Sequence, residues 1–443
     1  MLEKVFKLKE NNTNLCTELL AGLTTFMAAA YIIVVNPGII SGIEKALPGK
    51  GMPMDGVMIA TIFSTAVATL LMGLLANYPF VLAPGMGLSA YFTHSVVLHM
   101  GYSWQVALGA VFISGVVFLI LSLVRIREMI IDSVPQSIRY AITAGIGLFI
   151  AFIGLKNAGI IVAAEEPAFV ALGDLSKGST FLAMLGLIIT GVLVALKVKG
   201  AILIGIIVTT LIGALPFFSI TQPPSGIVAM PNWSEFGEVF MKLDIMGALN
   251  IGFLNIIFSF LFVDMFDTVG TLIGISEKAG LLRNGRLERA TPALLSDSLG
   301  TVVGAGFGTP TVTTYVESAA GVAYGGRTGL TAVTVAVLFL LSLIFIPLIR
   351  VIPQAATTPA LVVVGVMMMG SITRINWDDL TEALPAFMAM IVMPFTFSIA
   401  NGIALAYILF PLIKLFTGRG RSVHILAYIL CILFILKFIY VGV

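Results

Sequence analysis

The chain has 443 residues, 59% hydrophobic and only 10% charged. A soluble domain carries about a quarter of its residues as charges, so a mostly water-facing surface is excluded. A net charge of +2 with the basic residues scattered in short loops leaves no nucleic-acid footprint. Cys16 and Cys431, at opposite ends, form neither a disulfide framework nor a metal spacing, and His94, His99 and His424 do not complete one.

The N-terminus, "MLEKVFKLKENNTNL", is polar and charged and lacks the form of a cleaved signal peptide. Beyond it, apolar stretches of about 20 residues recur, the mark of transmembrane helices. Helix cores are expected at 18–40, 55–77, 84–99, 104–124, 138–155, 180–196 and 201–219. A second set is expected at 247–273, 291–306, 310–322, 328–349, 356–372, 384–398 and 401–417, and a further apolar stretch at 423–441. This is an all-α polytopic membrane protein of about 14 transmembrane helices. Its expected divisions are an N-terminal segment 1–17, a first seven-helix repeat 18–219, a loop 220–246, a second seven-helix repeat 247–417 and a hydrophobic appendage 418–443.

Basic residues order the topology. Lys4, Lys7, Lys9, Arg125, Arg127, Arg139, Lys197, Lys199, Lys278, Arg283, Arg286, Arg289, Lys414, Arg419 and Arg421 all fall on one side. Glu165, Glu166, Asp174, Glu235, Glu238 and Asp244 fall on the other. The excess of Lys and Arg marks the cytoplasmic side and puts the N-terminus there, in a plasma-membrane protein. Arg350, after helix 11, is the one poor fit.

The two sets resemble one another. "VPQSIRYAITAGIG" (134–147) lies on "IPQAATTPALVVVG" (352–365), "PGMGLSAYF" (84–92) on "PTVTTYVES" (310–318), and "KGAILIGIIV" (199–208) on "NGIALAYILF" (401–410). Seven helices per copy make the second copy enter from the opposite side, an inverted repeat of the kind common in transporters. Helices 3 and 10 hold matching places and are unusual. Each is short and follows a Pro/Gly-rich stretch, "LAPGMG" (82–87) and "GAGFGTP" (304–310). Extended backbone at membrane depth must be buried in protein or line a cavity, and a half-helix starting there aims free N–H groups at that cavity.

Polar residues then mark the cavity. In helix 8, Asp264, Asp267, Thr268 and Thr271 recur at helical spacing and read as one polar stripe. An ionised aspartate near a bilayer centre costs about 3 kcal/mol, and no Lys or Arg lies between Asp244 and Lys278. Glu317 in helix 10 is flanked by Thr313, Thr314, Tyr315 and Ser318, and helix 3 carries Ser89, Tyr91 and Phe92. Asp297 in helix 9 has an intramembrane position as well, and His94 reads as a packing residue. Carboxylates, hydroxyls and rings with almost no cation suit a neutral flat ligand with N–H donors, a cation, or protons. They do not suit an anion. Paired aspartates also invite an aspartyl-protease reading, but the chain lacks the Gly-x-Gly-Asp context. No cofactor and no metal are expected.

"FKLKENNT", "LAPGMGLSAYF", "FVDMFDTVGT" and "TTYVESAAG" resemble the AzgA-like purine permeases of the nucleobase:cation symporter-2 group, over essentially the whole chain. "GYSWQVALGAVFISGVVFLILSL" (101–123) is similar to bacterial guanine/hypoxanthine permeases. The resemblance implies fourteen helices in two inverted repeats. Helices 1–4 and 8–11 would form a core domain and helices 5–7 and 12–14 a gate domain, with short strands leading into broken helices 3 and 10. It implies proton symport of hypoxanthine or guanine, and of adenine as a further base, through alternating access. Asp264, Asp267 and Glu317 would be the carboxylates for base and proton. Ser89, Phe92, Thr268, Thr271, Tyr315 and Ser318 complete the candidate set. Where the family reads "GMGLNAYF" this chain has Ser89, which leaves the preferred base open. The partners implied are the base, a proton, the bilayer and a second copy in a homodimer.

Overall fold

The computed structural model describes residues 2–124, 135–164, 170–224, 226–251, 256–278, 281–283, 286–287 and 289–440. Arg125, Arg127, Glu165 and Glu166, used above for orientation, lie outside them.

The first repeat runs α1 (Leu15–Ala46), α2 (Met54–Ala76), β1 (Leu82–Pro84), α3 (86–99), α4 (Trp104–Leu123), α5 (Gln136–Asn157), α6 (Gly178–Ala195) and α7 (Ala201–Gly213). The second runs α8 (Phe258–Lys278), α9 (Ala290–Phe307), β2 (Val312–Thr314), α10 (Ser318–Tyr324), α11 (Gly329–Arg350), α12 (Gln354–Arg374), α13 (Leu380–Phe395) and α14 (Ile399–Phe416). A last helix, α15, spans Ile425–Tyr440. Eight of the described helices are long and apolar enough to cross a membrane.

Helix 10 starts later than expected. Pro310 lacks a backbone donor, and the β-branched run Thr311–Val312–Thr313–Thr314 suits an extended strand better than a helix. The chain therefore stays extended there and turns helical only at Ser318. β1 and β2 pair antiparallel, with Leu82 opposite Thr314 and Pro84 opposite Val312. The helices that follow them leave in opposite directions, as an inverted repeat requires.

The helices sort into two bundles. α5, α6, α7, α12, α13 and α14 pack on one another, while α1–α4 and α8–α11 form the other bundle. Where α5 crosses α12, a Cβ on Gly147 would lie 2.7 Å from the Gly365 carbonyl oxygen, and a Cβ on Gly365 would lie 2.4 Å from that of Gly147. These two glycines end the matching segments 134–147 and 352–365, so the gate halves meet backbone to backbone at equivalent positions.

Two charges that look out of place are structural. Glu18, fully buried, accepts from Arg327 N at 2.9 Å, Thr331 N at 3.2 Å and Thr331 Oγ1 at 2.6 Å. It satisfies the donor end of α11, where a carboxylate is favoured by the helix dipole. Glu18→Ala leaves those donors without an acceptor and lowers stability by about 1–3 kcal/mol. Thermal unfolding in detergent measures this, and Glu18→Gln recovers part of the loss. Arg350, the poor fit to the charge rule, grips Asp55 at the start of α2 through both guanidinium edges, with Nε 2.5 Å from Asp55 Oδ1. Its half-exposed side chain is paired with the buried Asp55 carboxylate. At the C-terminal end, Phe434 of α15 packs edge-on to Phe258 and Phe262 of α8, at 5.2 and 5.5 Å.

Candidate functional site

The strand pair sits at the centre of the core bundle, and hydroxyls from both repeats complete its hydrogen bonding. Thr69 Oγ1 in α2 donates to Leu82 O and accepts from Leu82 N, both at 3.0 Å. Thr301 Oγ1 in α9 donates to Val312 O at 3.1 Å. Tyr315 N donates to Val81 O at 3.0 Å, Tyr315 OH donates to Pro84 O at 2.5 Å, and Ser318 Oγ accepts from Val81 N at 3.0 Å. With its backbone groups met in this way, irregular chain can persist at membrane depth.

A cavity of about 40 Å³ opens where this platform faces α8 and the gate bundle. At roughly 10–15 Å³ per water it has room for about three waters. The core side of its lining includes Asp267, Thr271, Thr313, Thr314, Tyr315 and Glu317, and the gate side is Ile146, Ile150, Val364 and Met368. Among the described residues, no Lys, Arg or His lines it. The apolar gate wall comes close because residue 87 is glycine: a Cβ there would lie 2.8 Å from Ile146 Cγ2.

Two carboxylates face this cavity from different elements. Glu317 is buried at the head of α10 and accepts from Tyr31 OH at 2.6 Å. Asp267 comes from the middle of α8 and meets the Thr313 hydroxyl of β2. Thr314 Oγ1, also on the lining, is buried with no hydrogen-bond partner among the described residues. The half-helix ends behave differently from one another. Met86 and Gly87, in the first turn of α3, line the cavity and have no intrahelical acceptor for their N–H groups. The first N–H groups of α10 do not serve the cavity. Those of Ser318, Ala319 and Ala320 turn back to the carbonyls of Tyr315, Val316 and Glu317.

The polar stripe of helix 8 divides in two. Asp267 and Thr271 reach the cavity. Asp264 and Thr268, one step round the helix, are buried against α9, where Thr268 Oγ1 lies 3.0 Å from Asp297 Oδ1 and 3.4 Å from Asp264 Oδ1. Residues three apart differ by about 60° around a helix, enough to separate two faces. Ser89 lies behind the lining and donates to Asn36 Oδ1 at 2.6 Å, and Asn36 Nδ2 donates to Thr61 Oγ1 at 2.8 Å. Ser318 ties the strands, Phe92 is buried in the core, and His94 lines a separate cavity near the end of α3. The sequence reading passed over Tyr31 as a site residue. Its signal was a phenol inside the apolar run "AAAYIIVV", which needs a buried partner.

Comparison with known proteins adds a family and a fold. The Permease family model, Xan_ur_permease, matches residues 16–405. The guanine/hypoxanthine permease PbuO of Bacillus subtilis (strain 168) is 45% identical over 445 residues, with 98% of this chain and 99% of that protein covered. The adenine permease AdeP of Escherichia coli (strain K12) is 44% identical over 443 residues, covering 100% of this chain and 97% of that protein. Among solved structures, the transmembrane domain of a cyanobacterium bicarbonate transporter, BicA, is similar with a TM-score of 0.60. It is 15% identical, over 89% of this chain and 97% of that one. That likeness concerns the fold alone, the seven-plus-seven inverted repeat.

Proposed function

The chain belongs to the Xan_ur_permease family, in its nucleobase:cation symporter-2 branch, and from that premise we propose that it imports purine nucleobases by proton symport through alternating access. It is a multi-pass membrane permease and not an enzyme, which disposes of the aspartyl-protease reading. The proposed substrates are hypoxanthine and guanine, with adenine as a further base, because relatives similar over nearly their whole length are a guanine/hypoxanthine and an adenine permease.

The observation that carries the reading is a cavity lined by two carboxylates, Glu317 and Asp267, with no Lys, Arg or His among its described lining residues. Glu317 and Asp267 accept ring and amino N–H groups of a neutral base. The first-turn N–H groups of α3 and the Thr314 hydroxyl meet its oxygen or imino nitrogens, and the apolar gate wall covers its face. An anion would meet two acidic groups and no countercharge. The coupled proton enters through the same acidic set. Asp264 and Asp297 around the single Thr268 hydroxyl form a seat for one proton directly behind Asp267. The core then carries base and proton past the gate, in a plasma membrane with the N-terminus cytoplasmic. The repeats would span 18–219 and 247–417.

The test is uptake of labelled hypoxanthine in a host lacking its own purine carriers. Unlabelled hypoxanthine, guanine and adenine should compete, uracil and sulfate should not, and a protonophore should abolish accumulation. Competition by sulfate, or accumulation indifferent to the protonophore, would count against the base and the coupling respectively.

A further inference from the structure

Each repeat contains one break between its last two helices, and the two breaks are built alike. α6 ends at Ala195, Lys197 follows with φ 56°, and Val198 N closes the turn on Leu193 O at 3.0 Å. α13 ends at Phe395, Phe397 follows with φ 50°, and Ser398 N closes on Met393 O at 3.1 Å. This is the left-handed helix stop that glycine normally provides. A bulky side chain there persists only where its surroundings hold it.

The surroundings of Phe397 belong to both bundles. Its carbonyl accepts from Ser95 Oγ of α3. Its ring lies under Lys156 Nζ at 4.7 Å, against Phe152 at 5.4 Å, and 6.4 Å from the ring of His94. Phe152 and Lys156 are on gate helix α5, whereas Ser95 and His94 are on core helix α3. Phe397 therefore joins core to gate at the face where α3 ends. It also forms part of the wall of a cavity of about 540 Å³ lined by His94, Ser95, Lys156, Ser398 and Asn401.

The opposite face repeats the arrangement with other residues. Matching the strands as the structure forms them, Leu82 with Val312, moves the register of 84–92 against 310–318 by four residues, and at the same step from these two strand starts stand His94 and Tyr324, so Tyr324 of α10 is the counterpart of His94. Lys199, just past the α6 stop, holds its Nζ 4.3 Å from the centre of the Tyr324 ring. Here too a residue beside a gate-helix break meets the far end of a core half-helix, and the contact is a cation on an aromatic face.

We propose that Phe397 with Ser95 and Lys156, and Tyr324 with Lys199, are the two latches that close opposite faces of the carrier in turn. Each joins core to gate on one face only, so a rocking motion that separates one leaves the other made. A solute crossing from the Phe397 face enters that cavity, and beyond it reaches Asp267 and Glu317, only after the latch parts. The inference rests on the alternating-access reading of this chain and not on which solute it carries.

The experiment is thiol labelling of Asn401→Cys in a C16S/C431S background, with a membrane-impermeant maleimide and sealed vesicles of both orientations. Asn401 lines the cavity behind the Phe397 latch. Phe397→Ala keeps the left-handed backbone but removes the ring contacts, and labelling from that face should rise about fivefold. Ser95→Ala, a milder change that guards against misfolding of the first variant, should raise it in the same sense. Tyr324→Ala loosens the other face and should lower it. Opposite shifts from the two faces, in protein that stays monodisperse in detergent, support the latches whether or not a purine base is transported. Shifts of the same sign, or none from either Phe397→Ala or Ser95→Ala, overturn them. The readout needs no solute, so a failure of the purine assignment in the uptake assay leaves it intact.

Discussion

Replacing Glu317 with Gln, or Asp267 with Asn, lowers base accumulation about ten- to hundredfold while the protein still folds, the factor expected for one hydrogen bond to a charged group. Both changes keep shape and remove charge. Glu317 keeps an acceptor for Tyr31 OH in the Gln variant, so the α1–α10 contact survives. The new amide also presents N–H where a base presents N–H, and that clash is what should weaken binding. Asp267→Asn does the same from α8, beside Thr313. Asp264→Asn should behave differently. It lies behind the lining against Thr268, so base exchange down a gradient should persist while proton-driven accumulation falls. Radiotracer uptake beside counterflow exchange, at matched membrane expression, separates the two. Undiminished accumulation in Glu317→Gln or Asp267→Asn would remove those residues from the site.

The second large effect lies far from any charge. Gly365→Val places a branched side chain where a single Cβ already comes within 2.4 Å of the Gly147 carbonyl oxygen and 2.7 Å of Ala151 Cβ. The obstacle is backbone, which cannot swing away as a long side chain can. Overpacking of this kind costs about 1–3 kcal/mol or more. The expected result is a sharp fall in folded protein recovered from the membrane, with Gly365→Ala intermediate. Gly147→Val should match it, because the contact is reciprocal. Fluorescence-detected size exclusion after a heat step reads both. Unaltered recovery would mean that α5 and α12 can separate without loss, and that the crossing does not hold the gate together.

Much of this was legible in the residues. The apolar runs marked most of the helices, with boundaries off by up to about ten residues in helices 7, 8 and 10, and the Pro/Gly stretches marked both broken helices. "TPTVTT" also carried its strand signal, which the expectation of a helix from 310 overrode. The division of the helix-8 stripe was harder to see. Asp264 and Asp267 are both compatible with one polar face, and only the neighbours of that helix decide which one meets α9 and which meets the cavity. The phenol of Tyr31 called for a buried partner without saying which, and the apolar gate wall of Ile146, Ile150, Val364 and Met368 carries no chemistry that sets it apart locally. Their roles come from what the fold brings opposite them. The ion pair of Arg350 was hidden for a related reason: a charge rule for loops takes no account of a partner such as Asp55, 295 residues away in the chain.

The three-residue pairing of β1 with β2 has a consequence for biosynthesis. As the chain enters the membrane, β1 arrives with the first repeat, but the Thr311 carbonyl that accepts Gly85 N and the Tyr315 amide that donates to Val81 O come only with the second. Until then its polar backbone has no protein partner on that side, which a bilayer tolerates poorly. The candidate site is therefore among the last parts of the molecule to form, and the first repeat made alone should be held by chaperones or degraded.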